Sequence, residues 1–121
     1  MNVVSLKNYI EQTYNTSGEY LFAKDPETCV FRHKNNRKWF AIIMEISKSK
    51  LGFDEDSNVY VVNLKCDPRV IGSFRMEQGI YPAYHMNKGH WLTVVLDDTV
   101  AESKLQYLLE MSYFLTKGKN K

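Results

Sequence analysis

Apolar residues recur along this chain with two periods, and the changes of period mark its elements. Leu6, Tyr9, Ile10 and Thr13 fall at helical spacing, which predicts a first helix capped by Ser5 and ended by Asn15-Thr16-Ser17-Gly18. Tyr20-Leu21-Phe22 is an apolar run of no assigned form before a turn at Asp25-Pro26. The period then shortens. Residues 29–33 and 38–46 predict strands around Asn35-Asn36, residue types that tolerate the left-handed backbone of a tight turn. Trp39-Phe40-Ala41-Ile42-Ile43-Met44 is apolar on both faces and belongs at a sheet centre.

Residues 48–57 are polar, contain Gly52 and read as a connection, whereas residues 58–65 carry the β-branched and aromatic content of a third strand. Asp67-Pro68 predicts the N-cap and first-turn proline of a short helix with Val70, Ile71 and Phe74 as its apolar stripe. Residues 84–86 and 90–96 predict a hairpin around Asn87-Lys88-Gly89, with Gly89 and Asn87 suited to positive φ. Thr99-Val100-Ala101-Glu102 has the form of a capping box, followed by a last helix with Ala101, Leu105, Leu108, Ser112 and Leu115 on its buried side. Residues 117–121 form a basic tail, expected to fray.

Helix, three strands, helix, two strands, helix is not the alternation that builds parallel sheets. The order predicts one domain over residues 1–121, a two-layer α+β fold whose mainly antiparallel sheet has helices packed on one face. Composition agrees: 44% of residues are hydrophobic and 25% charged, as in globular domains. No apolar run is long enough to span a membrane, and the first residues lack a basic stretch followed by an apolar one. A cytoplasmic location is the default expectation. Cys29 and Cys66 form no CxxC pair and read as buried thiols, not zinc ligands or a disulfide.

Sixteen Lys and Arg against fourteen Asp and Glu leave a formal charge of +2, too small to identify a polyanion binder. The distribution says more. Arg32, Lys34, Arg37, Lys38, Lys48 and Lys50 share a segment whose only acid is Glu45, and Asp54, Glu55 and Asp56 follow as a counterweight.

The densest chemistry lies in Tyr81-Pro82-Ala83-Tyr84-His85-Met86-Asn87-Lys88-Gly89-His90-Trp91. A two-residue turn would set His85 opposite His90, and a three-residue loop would set it opposite Trp91, so only the first register permits a shared metal. A third ligand would have to come from elsewhere, with His33 the one remaining His, and no metal site is expected. A nucleophilic site would need Cys66 with His85 or His90 and Asp67, but a small buried residue suits position 66 equally well. No phosphate loop, GxSxG elbow or HExxH motif occurs, so no catalytic residue and no cofactor is assigned. Nucleic-acid contact uses more of the residues at once. Lys88, His85 and His90 suit phosphates, Asn87 a phosphate or base edge, and Tyr81, Tyr84 and Trp91 stacking or packing. The turn with Arg32, Lys34, Arg37 and Lys38 offers a second contact. The plainer alternative is core aromatics beside a solvated charged face.

Asn63-Leu64-Lys65-Cys66-Asp67-Pro68, residues 81–94 and Ser112-Tyr113 resemble, in order and spacing, the MmcQ/YjbR family. Its pattern runs Cys-Asp-Pro, then Pro-Gly-Tyr-His-Met-Asn-Lys-Arg-His-Trp-Asn-Thr-Val, then Ser-Tyr in a final helix. The likeness covers most of residues 39–115. It implies a frataxin-like (CyaY-like) α+β fold and a double-wing mode of DNA binding, with Tyr84, His85, Met86, Asn87, Lys88, His90 and Trp91 as motif positions. Gly89 stands where the family has Arg and Leu92 where it has Asn, removing a charge and a polar donor. The frataxin-like fold also brings iron to mind, but Glu11 is the only acid of the first helix, which disfavours it.

The expectation is therefore a monomeric, non-enzymatic domain for double-stranded DNA. His85, Asn87, Lys88 and His90 would form one wing and Arg37 and Lys38 the other, with Tyr84, Met86 and Trp91 in packing roles. The alternative is a small-molecule or protein-binding module with a pocket at Tyr84, His85 and Trp91. A concave pocket there, in place of a continuous positive surface, would favour it.

Overall fold

In the computed structural model, residues 1–118 are described. Their elements run α1 Val3–Tyr14, β1 Cys29–Arg32, β2 Trp39–Ser47, a 3-10 turn Lys48–Leu51, β3 Asn58–Lys65, α2 Ile71–Phe74, β4 Ile80–Pro82, β5 Trp91–Val95 and α3 Glu102–Thr116. The five strands form one sheet in the order β1-β2-β3-β5-β4, and every neighbouring pair is antiparallel. The α+β class expected from the element order is the one observed.

Helix ends depart from the sequence reading because side chains found different partners. Asn2, not Ser5, caps α1: its carboxamide oxygen accepts from Ser5 N at 2.8 Å while Ser5 Oγ accepts from Asn2 N at 3.0 Å. This reciprocal box stabilises a helix start by about 1 kcal/mol. Asn15 ends α1 in the left-handed region at φ 51°, and Thr13 is exposed while Tyr14 turns inward. The Thr99 to Glu102 box does not form. Ala101 precedes α3 without a side-chain cap, since the 97–99 turn is closed by Asp97 Oδ1 accepting from Thr99 N at 3.0 Å. Ala101 and Leu115 are exposed, and Leu109 and Thr116 join Leu105, Leu108 and Ser112 on the buried side. Asp67 closes a turn before α2 by accepting from Val70 N and Ile71 N, each at 3.1 Å, so the helix starts at Ile71, one turn later than expected, and Val70 faces solvent.

The main core lies between the sheet and its helices. Leu6 and Ile10 of α1, Ile71 and Phe74 of α2, and Leu105, Leu108 and Leu109 of α3 meet Ala41, Ile43, Val62, Leu64, Leu92 and Val94. Ser112 locks α3 onto the sheet, its hydroxyl donating to Phe40 O at 2.6 Å and accepting from Lys65 N at 2.8 Å. A smaller cluster, Ile46, Val59, Val61 and Val95, occupies the opposite sheet face under Leu51 and Tyr81.

Register decides which loops meet. Arg32 pairs with Trp39, Ala41 with Leu64, Lys65 with Trp91 and Pro82 with Leu92. The β1–β2 turn, the β3 exit and the β4–β5 loop therefore share one end of the sheet, and the acidic connection 52–57 lies at the other. No helix among the described residues is long and apolar enough to cross a membrane. The expected basic tail lies largely outside the described residues: Lys117 still packs, its Nζ 4.5 Å from the centre of the Phe114 ring.

Candidate functional site

The β4–β5 hairpin exists, but its connection is longer than a tight turn. Residues 83–90 intervene between Pro82 and Trp91, so neither of the two tight registers forms, and residues 84–86 are loop rather than strand. Neither Gly89 nor Asn87 takes positive φ; the left-handed residue is His85, at φ 60°. Asn87 shapes the tip through its side chain, Oδ1 accepting from Gly89 N at 2.8 Å. Its carbonyl accepts from His90 N at 3.1 Å and Trp91 N at 2.9 Å.

This loop is anchored by residues that the sequence reading did not single out. Asn63 Nδ2 donates to Tyr84 O at 2.9 Å, Asn63 Oδ1 accepts from Thr93 Oγ1 at 2.6 Å, and Thr93 Oγ1 accepts from Tyr84 N at 2.9 Å. Both backbone groups of Tyr84 are thus held by two fully buried polar side chains. The available signal was Asn63 itself, a polar residue in the middle of an apolar strand, where burial demands a partner. Arg75, beyond α2, donates to Lys88 O at 2.9 Å and holds the far side of the loop.

His85, Asn87, Lys88 and His90 are exposed on this scaffold, while Tyr84, Met86 and Trp91 are partly covered. Leu92 is only 1% exposed and sits in the main core, so position 92 offers this chain no surface contact.

The second loop, residues 33–38, resembles its prediction with one exchange. Arg37, not an asparagine, is left-handed, at φ 65°, and its N–H donates to His33 O at 3.0 Å. Both asparagines turn toward the end of α3 instead, Asn36 Nδ2 donating to Thr116 O at 3.0 Å and Asn35 Nδ2 to Lys117 O at 3.3 Å. Arg32 is withdrawn from the candidate surface. It grips Glu19 through two bonds of 2.9 and 2.7 Å, which hold the Glu19 carboxyl below its usual range. Among the described residues, ion pairs engage Arg32, Lys48, Arg69 and Lys104, leaving Lys34, Arg37, Lys38 and Lys88 exposed without a carboxylate partner.

The remaining candidates are placed away from chemistry. Cys66 is 1% exposed, burial and the neighbouring Asp67 push its thiol pKa up, and Sγ lies 3.6 Å from Asp67 O. A raised pKa disfavours the thiolate that a nucleophile needs. Asp67 is committed to Arg69, which holds its carboxyl at about 2. His33 is buried with Nε2 2.7 Å from Thr116 Oγ1, enclosed by Phe40 and Tyr113 rings at 5.1 and 4.5 Å. It cannot join His85 and His90, and among the described residues no three His, Cys, Asp or Glu side chains gather in a metal-sized group. Tyr84 and His85, though not Trp91, line a groove on the open sheet face.

Comparison with known proteins follows the same residues. A family model described as YjbR matches residues 11–115. The chain is 38% identical over 109 residues to the uncharacterized protein YyaQ of Bacillus subtilis, covering 90% of this chain and 92% of that one. The uncharacterized protein YjbR of Escherichia coli is 37% identical over 60 residues, 49% of this chain and 51% of the other. A crystal structure from Pseudomonas syringae superposes with TM-score 0.94 at 41% identity, covering 96% of this chain and 99% of that one. One from Deinococcus radiodurans gives TM-score 0.74 at 30% identity, with 98% and 80% covered.

Proposed function

Given that the chain belongs to the YjbR family, we propose that it is a non-enzymatic DNA-binding domain acting through two wings, residues 33–38 and 83–90. The observation carrying this reading is the shared sheet end, where both loops present cations that pair with no carboxylate among the described residues. Three strand spacings separate the centre of the β1–β2 pair from the centre of the β5–β4 pair, about 14 Å at the usual spacing. The major groove is about 12 Å wide. Two loops so spaced suit phosphates on either side of a groove, with Arg37 and Lys38 on one strand and Lys88 on the other. His85, Asn87 and His90 are exposed on the same loop as Lys88. Gly89 leaves room at the tip, where the family pattern has Arg.

Fluorescence anisotropy of a labelled duplex, measured at 0.05 and 0.2 M salt, tests the reading. Three phosphate contacts predict a slope of log K against log salt of roughly −3, and Lys88→Ala should reduce its magnitude by about one. Arg37→Ala keeps a Cβ at the same left-handed position, so lost affinity there reports lost charge. Gly89→Arg adds a cation at the tip and should tighten binding, once Asn87 Oδ1, 3.2 Å from the new Cβ, shifts by a few tenths of an ångström. No binding at low salt, or affinity indifferent to all three substitutions, refutes the two-wing reading.

A further inference from the structure

On the sheet face opposite the helices, residues 22–28 and 84–86 rise on either side of β2 and β3 and enclose a groove of about 420 Å³. That volume falls among small-molecule sites, about 300 to 1,000 Å³. Phe22 and Trp39 form one wall, edge to face with ring centres 5.9 Å apart. Tyr84 and His85 form the other, with ring centres 3.9 Å apart. Ile42 and Met44 make the floor.

The polar inventory of the groove narrows the occupant. Asn63 reaches the floor, fully buried, with Oδ1 accepting from Thr93 Oγ1 and Nδ2 donating one hydrogen to Tyr84 O. The Asp25 carboxylate accepts from the Thr28 hydroxyl at 2.6 Å. β2 and β3 are interior strands paired on both edges, so the floor has no free backbone N–H or C=O. An extended peptide laid here would leave its own amides unpartnered, and a polyhydroxylated ligand would fare no better. A flat ring system loses nothing by the lack of donors and gains from aromatic faces and edges on both walls and from thioether sulfur at Met44 and Met86. Lys24 lines the rim and takes part in none of the ion pairs among the described residues.

We propose that this groove binds a small planar aromatic molecule carrying an anionic substituent, its ring between the Phe22–Trp39 and Tyr84–His85 walls and its charge toward Lys24. The site extends beyond DNA contact and stands on different residues, apart from His85.

Titration of the full chain with 2-naphthoate, followed by backbone amide NMR, tests it. Saturable shifts should be confined to residues 22–28, 42–44 and 84–86. Cyclohexanecarboxylate, puckered rather than flat, and the neutral 2-naphthamide should each bind more weakly. Phe22→Ser removes part of one wall at an exposed position, and His85→Gly removes part of the other while relaxing a left-handed backbone, so neither threatens the core. Each should weaken 2-naphthoate about three- to tenfold, the scale of one aromatic contact. Failure to saturate, or affinity unchanged in both variants, overturns the proposal. So does a concentration-dependent dimer in sedimentation that shifts the same amides without the probe, since the occupant would then be a second copy. Duplex binding plays no part in these readouts, so a failed DNA titration leaves their outcome standing.

Discussion

His33 shows how one residue can change meaning once its neighbours are known. In the sequence it was the third imidazole a metal site would have needed; in the fold it is 5% exposed, its Nε2 hydrogen-bonded to Thr116 Oγ1, which lies 2.7 Å from Ser112 O. Burial lowers its pKa below the ordinary 6.5. The unfolded chain therefore binds a proton more readily than the folded one between these two values. The sign follows directly: the contribution of His33 is fully present above pH 6.5 and is lost as pH falls from there toward the folded pKa, at no more than about 1.4 kcal/mol per pH unit. Urea unfolding at pH 7.5 and 5.0 should show this loss, and His33→Gln should shrink the difference. An equal pH dependence in both proteins would exclude His33 as its source. Arg37 and His85 make a related point. Left-handed backbone costs a non-glycine residue about 1 to 2 kcal/mol, and of the four such residues among those described Arg37 and His85 sit in the candidate wings, while Asn15 ends α1 and Asp98 lies in the turn before α3. Composition would have placed that conformation on Asn35, Asn36 or Asn87 instead.

At the level of elements, strands were the most legible feature, because alternation and β-branched content depend on little beyond the local chain. The β3 bounds agree with the pattern, and β2 is interior as its two apolar faces require, although β3 is the central strand. Helix ends were less legible. Asn2, Asp97 and Asp67 each took a partner within four residues, and which of several neighbouring polar residues caps is not fixed by a periodic pattern. The β4–β5 connection shows the reason most clearly. A two- or three-residue turn suits Asn87-Lys88-Gly89, yet Tyr84 is bound to Asn63 and Thr93, and Ala83 is completely buried. Those anchors lie on two neighbouring strands and draw residues 83–86 out of the ladder. Thr93→Val preserves shape and removes the hydroxyl, leaving Tyr84 N without its acceptor and Asn63 Oδ1 without its donor. A destabilisation of about 2 to 3 kcal/mol is expected, with faster amide exchange concentrated at residues 83–86. A loss below about 0.5 kcal/mol would mean that the loop is held by its apolar contacts.

Over the whole molecule, a nearly balanced net charge conceals a division along the strands. Lys34, Arg37, Lys38 and Lys88 lie at the wing end, Asp54 and Asp56 at the other, with the eight residues of β3 between them, about 26 Å of strand. Exposed charges that far apart are screened at 0.15 M salt, where the Debye length is about 8 Å, but not at 0.01 M, where it is about 30 Å. Combining Asp54→Asn with Asp56→Asn should leave duplex affinity within about twofold at the higher salt and tighten it severalfold at the lower. A large effect at 0.15 M would mean that the acidic connection itself meets the nucleic acid.

Read without coordinates, the chain already specifies an α+β domain, its order of elements, most of its core and its family, because periodicity and a long contiguous motif are local properties. Which cations remain unpaired, which histidine is buried and which loop residues are strained depend on distant partners, 83 positions away for His33 and Thr116. The groove belongs to the same category. Phe22, Trp39 and Tyr84 carry no shared pattern along the chain, and only antiparallel pairing of β2 and β3, with one irregular segment on each side, brings their rings together. The stretch from Tyr81 to Trp91 divides accordingly: its identity is a matter of sequence, and its long anchored loop a matter of two polar side chains buried beneath it.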